Sequence, residues 1–444
     1  MRYYVIILSL LASLVCKAQT ISREEAISDI DSLYYTLSEV HPDMYANIGV
    51  GELAKAIRKV KDGLPESMSI TELYRRMAPS VSLIGDAHTG INMPYREIMV
   101  EAKLFMPVYP TIDSNTGKMY VKASVANRVP YDSEIVYING VPAADMVKEM
   151  ERYASGERSF YRLGMVDNNI MGLFHMLYAS GRYKVAYKEP KSRKVTTIEL
   201  DAVNSTAFQT GLVLSPRLLK LMERQQSMAA YSFRLVKEKR TAVMEFNSCV
   251  DSDYMATFAD SMLVRLKEEG ITTLIIDVRN NGGGNSRVGD ELLRRISPEP
   301  FCQYGQTYVR ITPTTLALSG NKALAPGIYF YPEGNTYEPL PAEGRFAGKV
   351  FLLTSHNTFS SAASFAWAFK QFGCGTVVGE ETGGMNVHFG DVLTYTLPHS
   401  KLTCNISHKR FWQYGADEGA IHGLIPDITT DKDDALDHVL KMIK

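Results

Sequence analysis

Between residues 20 and 85 the apolar positions recur at helical spacing. In SREEAISDIDSLYYTLSEVHP, Ile27, Ile30, Tyr34 and Leu37 share one face and the run stops at Pro42. Ser22 and Glu25 have the spacing of a capping box. A second amphipathic segment passes through Leu53, Ile57 and Val60. A third begins with Ser69 and Glu72, spaced as another capping box, and carries Leu73, Met77 and Ile84. The pattern predicts a small helical bundle, an N-terminal helical domain over residues 19–96. It leaves through IGDAHTGI, a polar, glycine-bearing segment that holds His88.

From about residue 97 the period shortens to that of strands, in KLFMPVYPTID, KMYVKAS and SEIVYINGV. VPYDSEIVYINGVPAADMVKEM joins a strand, an Asn139-Gly140 turn and a helix, and resembles the middle of a PDZ domain. Residues 150–180 read as helical and exceed what a simple PDZ domain needs. KVAYKEP and KVTTIELDA close this PDZ-like domain, residues 97–202. Over 203–444 apolar strands alternate with helices: TAVMEF, a helix ending at LVRLKEEG, TTLIIDVR, GDELLRRI, then KVFLLTS, SSAASFAWAFKQF and TVVGE after a long excursion. That alternation predicts an α/β core on a mainly parallel sheet, with the site beyond the carboxyl ends of its strands. The chain reads as a multidomain α/β protein.

Composition narrows the partners. With 48 basic and 49 acidic residues the formal net charge is -1, so no electrostatic footprint for nucleic acid is present. MRYYVIILSLLASLVCKAQ places one arginine before an apolar stretch too short for a membrane span, the shape of a signal peptide over residues 1–18 with cleavage after Ala18. Cys16 offers lipidation as the alternative, but the bulky Val15 fits that pathway poorly. The expected product is an exported protein, periplasmic or extracellular, without a membrane span. Cys249, Cys302, Cys374 and Cys404 are not spaced as a zinc knuckle, and buried thiols with at most one disulfide are expected. No HExxH or similar histidine pair occurs, so no metal or other cofactor is implied.

Two predicted strand ends carry unusual residues, DVRNNGGGNS and SHNTFSSAASFAW. Three consecutive glycines are costly to order, and such a loop serves unusual dihedrals or brings bare N–H groups to a negative charge. A dinucleotide fingerprint is excluded because Arg287 stands where GxGxxG needs its third glycine, and no GK[ST] follows to make a P-loop. Ser360 and Ser361 fall where a strand turns into a helix. The plain reading makes them helix caps. Beside a loop of free amides, a helix-terminal serine is also half of an acyl-transfer site.

DVRNNGGGN, NTFSSAAS and VVGEETGG in this order, closing with GLIPDI, resemble the C-terminal processing (tail-specific) serine peptidases. The AHTG segment in a helical N-terminus is similar to the branch with the tricorn core protease and the interphotoreceptor retinoid-binding repeats. The resemblance implies a crotonase-like or ClpP-like core, peptide or protein substrates, and Ser361 as nucleophile. Many relatives use a lysine base after the G-E strand end, and here Met385 stands at that position. The tricorn-like pattern takes a histidine from the N-terminal region instead, which corresponds to His88. It adds a serine before that histidine, replaced here by Ala87, and a late glutamate, for which Glu418 in GADEGAIHG is the match. Asp86 is a local rival that reads more readily as a turn cap. The resemblance assigns the oxyanion hole to the amides of Gly283 and Ala362, with Asp277 and Arg279 pinning the loop. The altered relay leaves a second reading: a catalytically weak or inactive member that binds a peptide or apolar ligand.

Overall fold

The computed structural model describes residues 20–443 apart from 193, 217, 220–228 and 321–323. The expected signal peptide and Cys16 lie outside the described residues.

The three N-terminal helices form as Arg23–Val40, Val50–Asp62 and Ile70–Ser82. Ser22 and Glu25 close a complete capping box. Ser69 supplies only half of one: its hydroxyl accepts from the Glu72 N–H, while the Glu72 carboxylate turns outward to Arg75 and Arg76. A guanidinium pair outcompetes a single backbone N–H for that carboxylate. The apolar face built from Ile30, Leu33, Leu37, Leu73 and Met77 does not close on itself. Leu397, Leu402, Cys404 and Ile406, from far along the chain, complete its core.

In the second region, Val108–Ile112, Met119–Val125, Glu134–Ile138, Arg182–Lys188 and Thr196–Asp201 form an antiparallel sheet. Asn139 and Gly140 have φ of 51° and 81°, as the tight turn into Val141–Pro142 requires. The helix Ala143–Glu151 follows, and Ser159–Asn168 and Ile170–Tyr178 occupy the segment expected to be helical. The strand Leu212–Leu214 pairs with Met119–Val125, so this sheet draws in chain beyond residue 202.

The third region is built on a six-stranded sheet in the order Tyr231–Val236, Thr241–Phe246, Thr273–Asp277, Lys349–Thr354, Thr376–Gly379, Ile428–Thr429. Only the first pair is antiparallel. Met244, Phe246, Leu274 and Ile276 pack against Phe365 and Phe369 of the helix Ser361–Gln371. Val243, Ile275, Leu353 and Val378 pack on the other face against Leu436 and Val439. Burial on both faces is why these strands read as unbroken apolar runs.

The long excursion and the segment after Met385 fold into a further sheet, antiparallel, in the order Gly327–Tyr331, Tyr304–Ile311, Thr403–Gln413, Val387–Thr396. The short strand Gly90–Ile91 pairs with Asn405 and Cys404 on it, which ties the His88 segment to the third region. Cys249, Cys302, Cys374 and Cys404 are all buried free thiols. Burial pushes the Cys249, Cys374 and Cys404 thiols up to about 12 and Cys302 up to about 11, so none is a thiolate near neutral pH. Among the described residues no helix is long and apolar enough to cross a membrane.

Candidate active site

Two loops leave the carboxyl ends of neighbouring parallel strands and are fastened to each other. After Lys349–Thr354, the Thr358 hydroxyl donates to Val278 O (2.9 Å), and the Phe359 N–H donates to Asn281 O (3.0 Å). The chain then turns at Ser360, whose φ of 51° and ψ of −129° are strained for a residue with a side chain. Ser361 begins the next helix and is nearly buried, and its hydroxyl donates to Gly284 O at 2.6 Å.

The glycines explain how the loops approach so closely. Gly283 has φ +98°, and a Cβ there would lie 2.7 Å from Ser360 Cβ and 2.9 Å from the Ser361 nitrogen. Gly284 has φ +133°, and its Cβ would come within 2.2 Å of Cys249 O. Gly282 faces open space. Two of the three glycines are therefore demanded by backbone conformation and contact. The Gly283 N–H donates to Asn281 Oδ1 (2.9 Å), and the Ala362 N–H donates to Phe359 O (3.1 Å). Both amides expected to line an oxyanion hole are thus engaged within their own loops. Arg279 chelates Asp277, with Nε 2.8 Å from Oδ1 and Nη2 2.5 Å from Oδ2, and reaches the Lys432 carbonyl with Nη1.

His88 arrives from the first region. Its ring stacks on Phe359, two residues before Ser361, at 4.4 Å between centroids. Its side chain is 11% exposed, and Nε2 is buried without a hydrogen-bond partner. Nδ1 lies 3.9 Å from Asp86 Oδ1, and that same oxygen accepts the His88 backbone N–H at 2.9 Å. Burial holds the imidazole below its ordinary value, although Asp86 and Asp391 pull the other way. Asp86 is fully buried. Its Oδ2 takes His41 Nε2 at 3.1 Å and the Ser407 hydroxyl at 2.6 Å, and its backbone carbonyl accepts from Ser155 Oγ. Burial opposes its charge, but the His41 hydrogen bond, the neighbouring imidazoles and Ser407 outweigh that and hold the carboxyl well below its usual range. Asp86 does cap the turn, and it is also the carboxylate beside the imidazole.

Glu418 is engaged by other partners. Its carboxylate is 53% exposed and meets Arg410 Nη2 at 2.5 Å and Trp412 Nε1 at 3.3 Å. The sequence match that selected it carried no information on where the Arg410 guanidinium would hold it. Met385 is buried and accepts from His388 Nδ1 through its carbonyl, so no cation occupies the position of the lysine base. Sequence reasoning passed over His41 and Ser407, which hold Asp86, and Asn281, which holds Gly283. His41 and Ser407 belong to no motif, and Asn281 lies in the glycine-loop motif without a role assigned to it. Only the repeated asparagines flanking the glycines carried any signal.

A serine at a strained strand-to-helix turn, a glycine loop behind it and a buried imidazole stacked two residues before it are parts that a serine-type peptidase uses. Residues 241–430 match the model of Peptidase family S41, which supports a serine-type peptidase of the C-terminal processing kind. Solved structures share the fold over nearly the whole length. Mature CPAF is 13% identical, with 95% of this chain and 97% of that chain covered at a TM-score of 0.63. CPAF complexed with lactacystin is 14% identical, with 95% and 98% covered at a TM-score of 0.65.

Proposed function

We propose that the protein is an exported serine endopeptidase that cleaves peptides or protein C-terminal tails, with Ser361 as nucleophile and His88 as general base. The observation that carries this reading is His88 itself: a nearly buried imidazole on Phe359, with an unpartnered Nε2, beside the strained turn that presents Ser361. A neutral imidazole takes the Ser361 proton as Oγ attacks the scissile carbonyl. Asp86 orients it, in place of Glu418, and stabilises the imidazolium that forms. Attack requires Oγ to turn from Gly284 O toward the imidazole. The Gly283 and Ala362 amides then exchange Asn281 Oδ1 and Phe359 O for the developing oxyanion. The domain division 19–96, 97–202 and 203–444, with residues 1–18 as an export signal to the periplasm or beyond, belongs to this proposal. So does a PDZ-like groove beside Glu134–Ile138 and Ala143–Glu151, of the tricorn-like branch.

The internal engagement of Ser361 Oγ and of both amides favours, as a second reading, a weakly catalytic member that binds peptides or an apolar ligand. Cleavage of an unstructured fluorescent protein separates the two. Ser361→Ala should lose all turnover at a stability cost of about 1 kcal/mol for the lost hydrogen bond. Ser360→Ala should keep much of the activity. Turnover retained by Ser361→Ala would overturn the assignment, and a folded wild type without turnover would favour the binder.

A further inference from the structure

Tyr304 opens the strand Tyr304–Ile311 and pairs across the antiparallel sheet with Gln413. Gln413 Nε2 donates to Ser364 Oγ at 2.7 Å, which stitches this edge of the sheet to the first turn of the Ser361 helix. The chain passes Tyr304 closely on its other side, where a Cβ on Gly334 would lie 1.7 Å from the Tyr304 carbonyl oxygen. The Tyr304 ring tilts against Phe411 at 5.0 Å. Phe411 stacks on His388 at 5.4 Å, and His388 faces His88 at 5.9 Å. The phenol oxygen ends among the hydroxyls of Ser364, Ser286 and Ser361. The phenol thus lies between the glycine loop, at Ser286, and the nucleophile helix.

The donors around the nucleophile are already committed. Gly283 N–H is held by Asn281, Ala362 N–H by Phe359 O, and the Ser361 hydroxyl by Gly284 O. We propose that Tyr304 is a catalytic residue whose phenolic O–H donates a hydrogen bond to the scissile carbonyl oxygen as it becomes an oxyanion. In the tetrahedral intermediate that oxygen is two bonds from Ser361 Oγ, so a phenol lying beside Oγ reaches it with little movement. Oγ bonds to the carbonyl carbon, the carbonyl π pair moves onto oxygen, and the serine proton passes to His88 Nε2. Tyr304 keeps its own proton throughout. Burial raises the phenol above its ordinary value, so it remains a donor wherever an imidazole base works.

This proposal rests on the Ser361 reading, and Tyr304→Phe tests it while preserving the ring packing. The expected result is a fall in kcat of roughly 10²–10³-fold, the loss that follows removal of one oxyanion donor, with KM and Tm little changed. Ser361→Ala is assayed alongside. Wild-type kcat in Tyr304→Phe with an inactive Ser361→Ala would overturn the role of Tyr304 and leave the nucleophile standing. A change confined to KM, or a kcat loss matched by a fall in Tm, would also overturn it. An active Ser361→Ala would defeat the underlying reading itself.

Discussion

His88 is the residue whose chemistry is most constrained by its surroundings. It accepts a proton only when neutral, and burial lowers its proton affinity from the ordinary 6.5 despite Asp86 and Asp391. Activity should therefore persist below pH 6.5 and fall as pH drops through the lowered value, so the acid limb of kcat/KM lies below about 6.5. Folded-state stability has the same sign. Below about 6.5 the unfolded chain binds a proton on this histidine that the folded chain resists, so stability falls with falling pH. Among its neighbours, His388 is pushed down to about 3 by burial and by His88, and does not titrate in this range. Burial, followed by the Asp86 charge, raises Glu157 to about 8. His88→Ala should lower turnover by about 10²–10⁴-fold. A pH–rate profile with its acid limb at or above 6.5 would contradict this environment for the base.

At the scale of elements, the glycine loop is the joint between two strand ends, and its three glycines are not equivalent. Gly284→Ala combines a left-handed φ of +133° with a Cβ 2.2 Å from Cys249 O, whereas Gly282→Ala meets nothing within 4 Å. The first should destabilise by at least about 1–3 kcal/mol and the second far less, as read from denaturant midpoints. Equal effects would show that the loop relaxes freely. The elements flanking this joint were legible in the sequence because parallel strands buried on both faces read as continuous apolar runs. Val387–Thr396 and Thr403–Gln413 were not. HFGDVLTYT passes from buried residues at its start, His388 among them, to exposed ones that include Val392, and TCNISHKRFWQ buries the polar Ser407, His408 and Gln413. Missing those strands hid the Ser407 contact to Asp86, and with it the second role of that carboxylate.

For the whole molecule, the proposed base and nucleophile come from distant parts of the chain, and the packing of its regions is what sets the His88 ring on Phe359, two residues before Ser361. The first region depends on the third for its core. Asp29 accepts the N–H groups of His399 and Ser400 at 2.9 and 2.8 Å, and Arg310 Nη1 donates to Ser38 O at 2.7 Å. Ser361 and His88 could be picked out because each sits in a short local motif. Asp86 and Asn281 sit in the same motifs, but their partners, His41 and Ser407 for the first and Gly283 for the second, come from folding, and Tyr304 carries no local signal at all. The central claim is that this packed arrangement makes Ser361 a nucleophile served by His88. Labelling the folded protein with a serine-directed fluorophosphonate and mapping the modified peptide tests it directly. The account predicts modification at Ser361, strongly slowed in His88→Ala and absent in Ser361→Ala. Modification at Ser360, or folded protein that stays unlabelled at Ser361, would contradict it.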